Sequence, residues 1–165
     1  MPSYLWRKYN RTELMADPDQ LRVAAIDEED LAVVSAYVQD AVLKVGDMVY
    51  LPAEYRFALA MNRFTWEKAD DGKRQDYERR RAALTFDRVL KVQTGGIDRA
   101  KPDAVLELLA VRFAFTDNPA GIVELTFAGG GAVRLSVEVI EARLADIGAA
   151  WATRAKPNHE TKAEA

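Results

Sequence analysis

Ile122-Val123-Glu124-Leu125-Thr126-Phe127, then Ala128-Gly129-Gly130-Gly131, then Ala132-Val133-Arg134-Leu135-Ser136-Val137-Glu138-Val139 is the stretch that decides the fold. Two runs rich in β-branched residues alternate apolar with polar positions and flank three glycines. Period two marks a half-buried strand, and glycine supplies the positive φ that a tight connection needs. The segment therefore reads as an antiparallel hairpin. A phosphate-cradling loop would need its glycines to lead into a helix N-terminus, but Ala132 onward is strand-like.

Moving outward, Ile140 to Ile147 fits either a continuing strand or a short helix ending at Gly148. Upstream, Val105 to Phe115 is expected to be a strand with Val105, Leu109, Val111, Phe113 and Phe115 on one face and Leu106 and Leu108 on the other, hence covered on both sides. Ala82 to Val92 reads as another strand. Tyr55, Phe57, Leu59 and Met61 alternate with Arg56, Ala58, Ala60 and Asn62, again with period two. Pro52-Ala53-Glu54 marks a turn, and Val42 to Leu51 is extended around a bulge or tight turn at Gly46-Asp47.

One helix is clear. After a short strand at Leu21 to Ile26, Asp27 is a good N-cap with Asp30 three residues on, a relative of the capping box. Glu28 and Glu29 put negative charge on the first turn, where the helix dipole favours it. Leu31, Val34 and Val38 then form one apolar face of a helix expected over Glu28 to Ala41. One helix and six or seven sequential strands predict an α+β fold: a mainly antiparallel β-sheet, sandwich or partly closed barrel, with one N-terminal helix. Residues 1–20 read as an arm, 21–151 as a single globular domain and 152–165 as a flexible tail.

The chain of 165 residues is long enough for a real core without staples. It is 49% apolar, with a net charge of -3, which excludes intrinsic disorder. With no cysteine it has no disulfide framework, thiolate nucleophile or Cys-bound zinc. The single histidine, His159, sits in the polar tail. No apolar run suits an export signal or a membrane-spanning helix, so the cytoplasm is the expected location. No catalytic residue, cofactor or metal site is expected.

The polar stretch from Trp66 to Lys101 carries ten cations against seven anions. Its centre is Arg79-Arg80-Arg81, where neighbours on a strand would point to opposite faces. Arg88, Lys91, Arg99 and Lys101 would extend the same positive field, with Trp66 beside it. Arginine suits bidentate recognition of carboxylate or phosphate; the plainer account is exposed ion pairing with Asp76, Glu78 and Asp87, each pair worth about 0–1 kcal/mol. The pI of about 5.3 argues against a nucleic-acid module. Among the carboxylates, Glu124, Glu138, Glu141 and Asp146 are assigned to solvated faces, and only Glu107 to partial burial.

Several strings carry a resemblance: Ala25-Ile26-Asp27-Glu28-Glu29-Asp30-Leu31, Gln39-Asp40-Ala41-Val42, Lys44-Val45-Gly46-Asp47, Arg56-Phe57-Ala58-Leu59, Asn62-Arg63-Phe64, Gly96-Ile97-Asp98, Leu125 through Gly131 and Trp151-Ala152-Thr153. Over about residues 21–159 the chain resembles an uncharacterised alphaproteobacterial family known only as a conserved domain of unknown function. The resemblance implies a small bacterial cytoplasmic protein, and it transfers no activity. The residue types themselves favour a non-enzymatic binding or adaptor domain with a protein partner. The alternatives are a small-ligand binder or enzyme using Asp, Glu, Arg and Tyr and, more weakly, a nucleic-acid-associated protein. Uncovered sheet edges also suggest a homodimer.

Overall fold

Asp27 sets where the helix begins. In the computed structural model, which describes residues 20–65, 77–148 and 151–153, its side chain accepts from the Asp30 N–H at 2.8 Å, while Asp30 accepts from the Ile26 N–H at 3.1 Å. This reciprocal cap opens helix α1, Glu28–Val38. The helix ends three residues short of the expected Ala41, because Asp40 turns the chain with φ 63°. Leu31, Val34 and Val38 are buried as their spacing predicts. Each contributes about 1.5–3 kcal/mol through burial.

Among the described residues eleven strands accompany this helix: β1 Arg22–Ala25, β2 Val42–Lys44, β3 Met48–Leu51, β4 Arg56–Phe64, β5 Tyr77–Phe86, β6 Val89–Gly95, β7 Val105–Asp117, β8 Ala120–Phe127, β9 Ala132–Val137, β10 Ala142–Asp146 and β11 Trp151–Thr153. All pairings are antiparallel, and the path runs β1-β10-β5-β4-β2-β7-β8-β9-β6, with β11 added to β5 and β3 to β4. The α+β class with mainly antiparallel sheet is thus the observed one, as an open sheet that curls around a single core. That core takes Leu31, Val34 and Val38 from the helix, Phe57, Leu59 and Met61 from β4, and Val123, Leu125 and Phe127 from β8.

Several local expectations need correction. The strands outnumber the six or seven expected. Ala82 to Val92 is two strands, because the chain turns at Asp87-Arg88, with Arg88 at φ 61°. Ile140 to Ile147 resolves as strand β10. Tyr55 adopts φ 52° and is exposed, so it does not share the buried face of Phe57, Leu59 and Met61. In β7 the register shifts between Leu108 and Ala110. That bulge reverses the alternation. Leu106 and Leu108 therefore face the core together with Val111 and Phe113, and Val105 is 65% exposed. For the same reason Glu107 is exposed rather than partly buried.

The hairpin is as read: β8 and β9 pair from Gly121↔Val137 to Thr126↔Ala132, with Gly129 and Gly130 at φ 89° and 95°. Pairing of β11 with β5 runs through Thr153, inside the stretch read as a tail. Residues 1–19 of the arm lie outside the described residues.

Candidate functional site

The centre of the expected arginine patch, Arg79-Arg80-Arg81, lies on β5, and the strand period separates its members. Arg79 and Arg81 share one side and Arg80 takes the other. Arg80 is 2% exposed and stands directly opposite Arg63 in the β4–β5 register. Arg81 donates to Asn62 Oδ1 at 3.2 Å and lies 3.5 Å from Asp47. Arg79 donates to the Asn62 carbonyl at 3.4 Å, with its guanidinium 5.9 Å from the Phe64 ring centre. Burial lowers the Arg79 pKa, an effect opposed by the charges of Asp40 and Glu107.

The remaining members are elsewhere. Arg88 sits past the far end of β5, roughly 30 Å along the chain from Arg79 at about 3.3 Å per residue. It lies 3.6 Å from Glu138 and 3.4 Å from Glu141, all three well exposed. Lys91 is exposed on β6, and Arg99 and Lys101 are exposed in the loop before β7. Trp66 lies outside the described residues. These positions form no single field.

Asp146, assigned above to a solvated face, is instead 1% exposed. It shares the inward parity of Ala142 and Leu144, and Arg63 grips it with Nε at 2.7 Å and Nη2 at 2.9 Å. The Leu21 N–H donates to the same carboxylate at 2.8 Å, tying β1 to β10. This buried pair is architectural: both side chains are wholly inaccessible.

The site that the residues do build lies on the outer face of β1, β10, β5 and β4. Two adjacent rows cross these four strands. One runs Ala24, Arg143, Thr85, Ala58; the other runs Arg22, Ala145, Ala83, Ala60. Alternation explains them: of the intervening residues, Leu144, Leu84 and Leu59 are buried in the core and Val23 packs against it. A face carrying alanine where a solvated strand usually carries Lys, Glu or Thr is shallow, and flanking arginines raise walls around it. The result is a groove of about 480 Å³ whose charged lining residues, among those described, are Arg22, Arg56 and Arg143.

Two of these walls are fixed from beneath. Asp87 accepts from Arg56 Nε at 2.8 Å and from Arg143 Nη2 at 2.7 Å. The Asp87 N–H in turn donates to the Glu141 carbonyl at 2.9 Å. Charge-assisted bonds of this kind orient guanidinium planes, so the groove presents positive, pre-positioned donors over an apolar floor. Among the described residues its lining offers the Thr85 hydroxyl and no carboxylate, imidazole or thiol able to move a proton. Among the described residues no three His, Asp or Glu side chains gather as a metal site would require.

The sequence reading missed Arg22, Arg56 and Arg143, which are isolated in the chain and meet only through non-local pairing. A signal was present in the outward positions of β4, β5 and β10: Arg56-x-Ala58-x-Ala60, Ala83-x-Thr85 and Arg143-x-Ala145.

The chain belongs to the family described as a protein of unknown function, DUF2948, whose model matches residues 21–159. No curated protein and no solved structure matches the chain. Among the described residues no helix is long and apolar enough to cross a membrane.

Proposed function

We propose that this chain is a non-enzymatic binding module whose outer-face groove holds an acidic, extended segment of a partner protein. The observation that carries the reading is the lining itself: among the described residues, three arginines and no carboxylate around a floor of Ala58, Ala83 and Ala145. Four strands at about 4.8 Å spacing span roughly 14 Å, the length of about four extended residues. Small floor residues admit a peptide backbone closely, and arginine forks fit carboxylates bidentately. Complementarity of this kind supplies specificity and association rate more than raw affinity.

The test is a fluorescence anisotropy titration with labelled hexapeptides in which Glu alternates with Ala, beside Gln-Ala and Lys-Ala controls. Wild type binds the Glu-Ala peptide, more tightly at low salt, and discriminates against both controls. Ala83→Trp fills the groove from an outward position and abolishes binding without entering the core. The proposal fails if the acidic peptide does not bind at about 1 mM, or if a folded Ala83→Trp variant binds it as wild type does.

A further inference from the structure

A second cavity lies on the other side of β4, where the curled sheet fails to close. The edges of β3 and β6 approach each other without forming a ladder. They are tied at one end, where the Tyr50 hydroxyl donates to the Val89 carbonyl at 3.3 Å and the Val89 N–H donates to the Tyr55 carbonyl at 2.8 Å. At the other end the Gly46 N–H donates to the Pro102 carbonyl at 2.8 Å. Between these ties remains a slot of about 300 Å³ that reaches the core at Phe57 and Val133.

The walls are Met48 and Tyr50 on β3, Val92 on β6 and Ile97 in the following loop. The charged lining residue is Arg99, which is exposed and makes no ion pair or side-chain hydrogen bond among the described residues. Its acidic neighbours make their contacts with other groups. Asp98 accepts from the Ala100 N–H at 3.0 Å, and Asp103 lies 3.8 Å from Lys44. A slot that pairs the apolar side chains of Met48, Val92 and Ile97 with polar groups, the uncommitted Arg99 guanidinium among them, is complementary to a molecule with an apolar part and an anionic end.

We propose that the slot between β3 and β6 binds an amphiphilic monoanion, its apolar chain lying between Met48, Tyr50 and Val92 and its carboxylate on Arg99. The volume is at the small end of ligand pockets, about 300–1,000 Å³, which selects a short chain or single ring. The assignment is independent of the outer groove, because Arg99 and the β3–β6 walls do not line that groove.

The probe is sodium decanoate, below the concentration at which it aggregates, titrated into the ¹⁵N-labelled full chain and followed by amide shifts, with 1-decanol as the neutral counterpart. Saturable shifts at Met48, Val92, Thr94 and Ile97 are expected, with about tenfold preference for decanoate over decanol, equivalent to about 1.4 kcal/mol. Arg99→Gln, an exposed substitution, reduces that preference to about twofold or less while decanol binding stays unchanged. Val92→Trp fills the slot and removes both ligands. Shifts confined to the groove residues, no saturable shifts, or a decanoate preference that survives Arg99→Gln would each overturn the proposal. Should Val92→Trp not fold, the Arg99→Gln comparison alone decides it.

Discussion

Replacing Asp146 by alanine tests whether the buried pair holds the sheet together. The substitution leaves the Arg63 guanidinium, wholly inaccessible in the structure, without the carboxylate that receives two of its donors at 2.7 and 2.9 Å. It also strips the Leu21 N–H of its acceptor at the point where β1 joins β10. Arg80 is buried on the same side, directly across from Arg63. Breaking a buried pair from one side costs about 3–5 kcal/mol, because the surviving charge stays desolvated. At about 2–4 °C per kcal/mol for a chain of this size, the midpoint falls by roughly 6–20 °C. Urea unfolding at equilibrium measures this directly, with an unchanged slope showing that the denatured state is not what moved. The double variant Arg63→Met with Asp146→Leu removes both charges, and it recovers much of the loss because apolar residues of similar volume can replace a buried pair. A cost below about 1 kcal/mol for Asp146→Ala, or a double variant as unstable as the sum of its singles, refutes the reasoning.

Three further substitutions probe the strands. Leu108→Ala removes a fully buried side chain and costs about 2–5 kcal/mol, whereas Val105→Ala, at a 65% exposed position, stays within about 0.5 kcal/mol; the uninterrupted alternation read from sequence would instead group Val105 with core-facing Val111, so chemical denaturation of the pair tests the bulge. Gly121→Ala places a Cβ against the Ala114 carbonyl and the Phe113 ring, and overpacking there costs about 1–3 kcal/mol in the same assay; a neutral outcome would show that the β7–β8 pair yields readily.

The parts legible in the sequence are those whose cause is local. Asp27 with Asp30 announces the helix start, the three glycines announce the hairpin, and alternation in β4 identifies Phe57, Leu59 and Met61 as inward. What was lost depends on partners far along the chain. Asp146 looks like one more surface carboxylate until Arg63, 83 residues away, arrives beside it. A bulge leaves residue types untouched and changes only the count, so Leu106 and Leu108 cannot be assigned a face from their own stretch. The break at Asp87-Arg88 is hidden because Phe86 and Val89 keep the apolar run continuous. The arginine run of β5 was visible as composition, but period two divides it between a buried and a half-exposed side. The groove needs four strands in the spatial order β1-β10-β5-β4, which no local pattern specifies.

The groove and the slot stand back to back across β4, and this constrains how either can be tested. Arg56 and Ala58 line the groove, while Phe57 between them lines the slot. Consecutive residues on a strand point to opposite faces, so a change at any of the three moves backbone that serves both sites. A Phe57 variant would remove a core side chain and shift the Arg56–Asp87 contact at 2.8 Å together. Loss of binding at either site would then carry no information about which one failed. Ala83 and Arg99 escape the difficulty, since Ala83 lies on β5 at an outward position and Arg99 lies in the loop between β6 and β7. Loss of acidic-peptide binding in Ala83→Trp with decanoate binding intact, and the reverse in Arg99→Gln, would establish two independent sites. If each variant instead weakens both ligands, β4 couples the two faces, and titrating one ligand in the presence of the other on the wild-type chain measures that coupling, which by thermodynamic reciprocity is the same factor in either order.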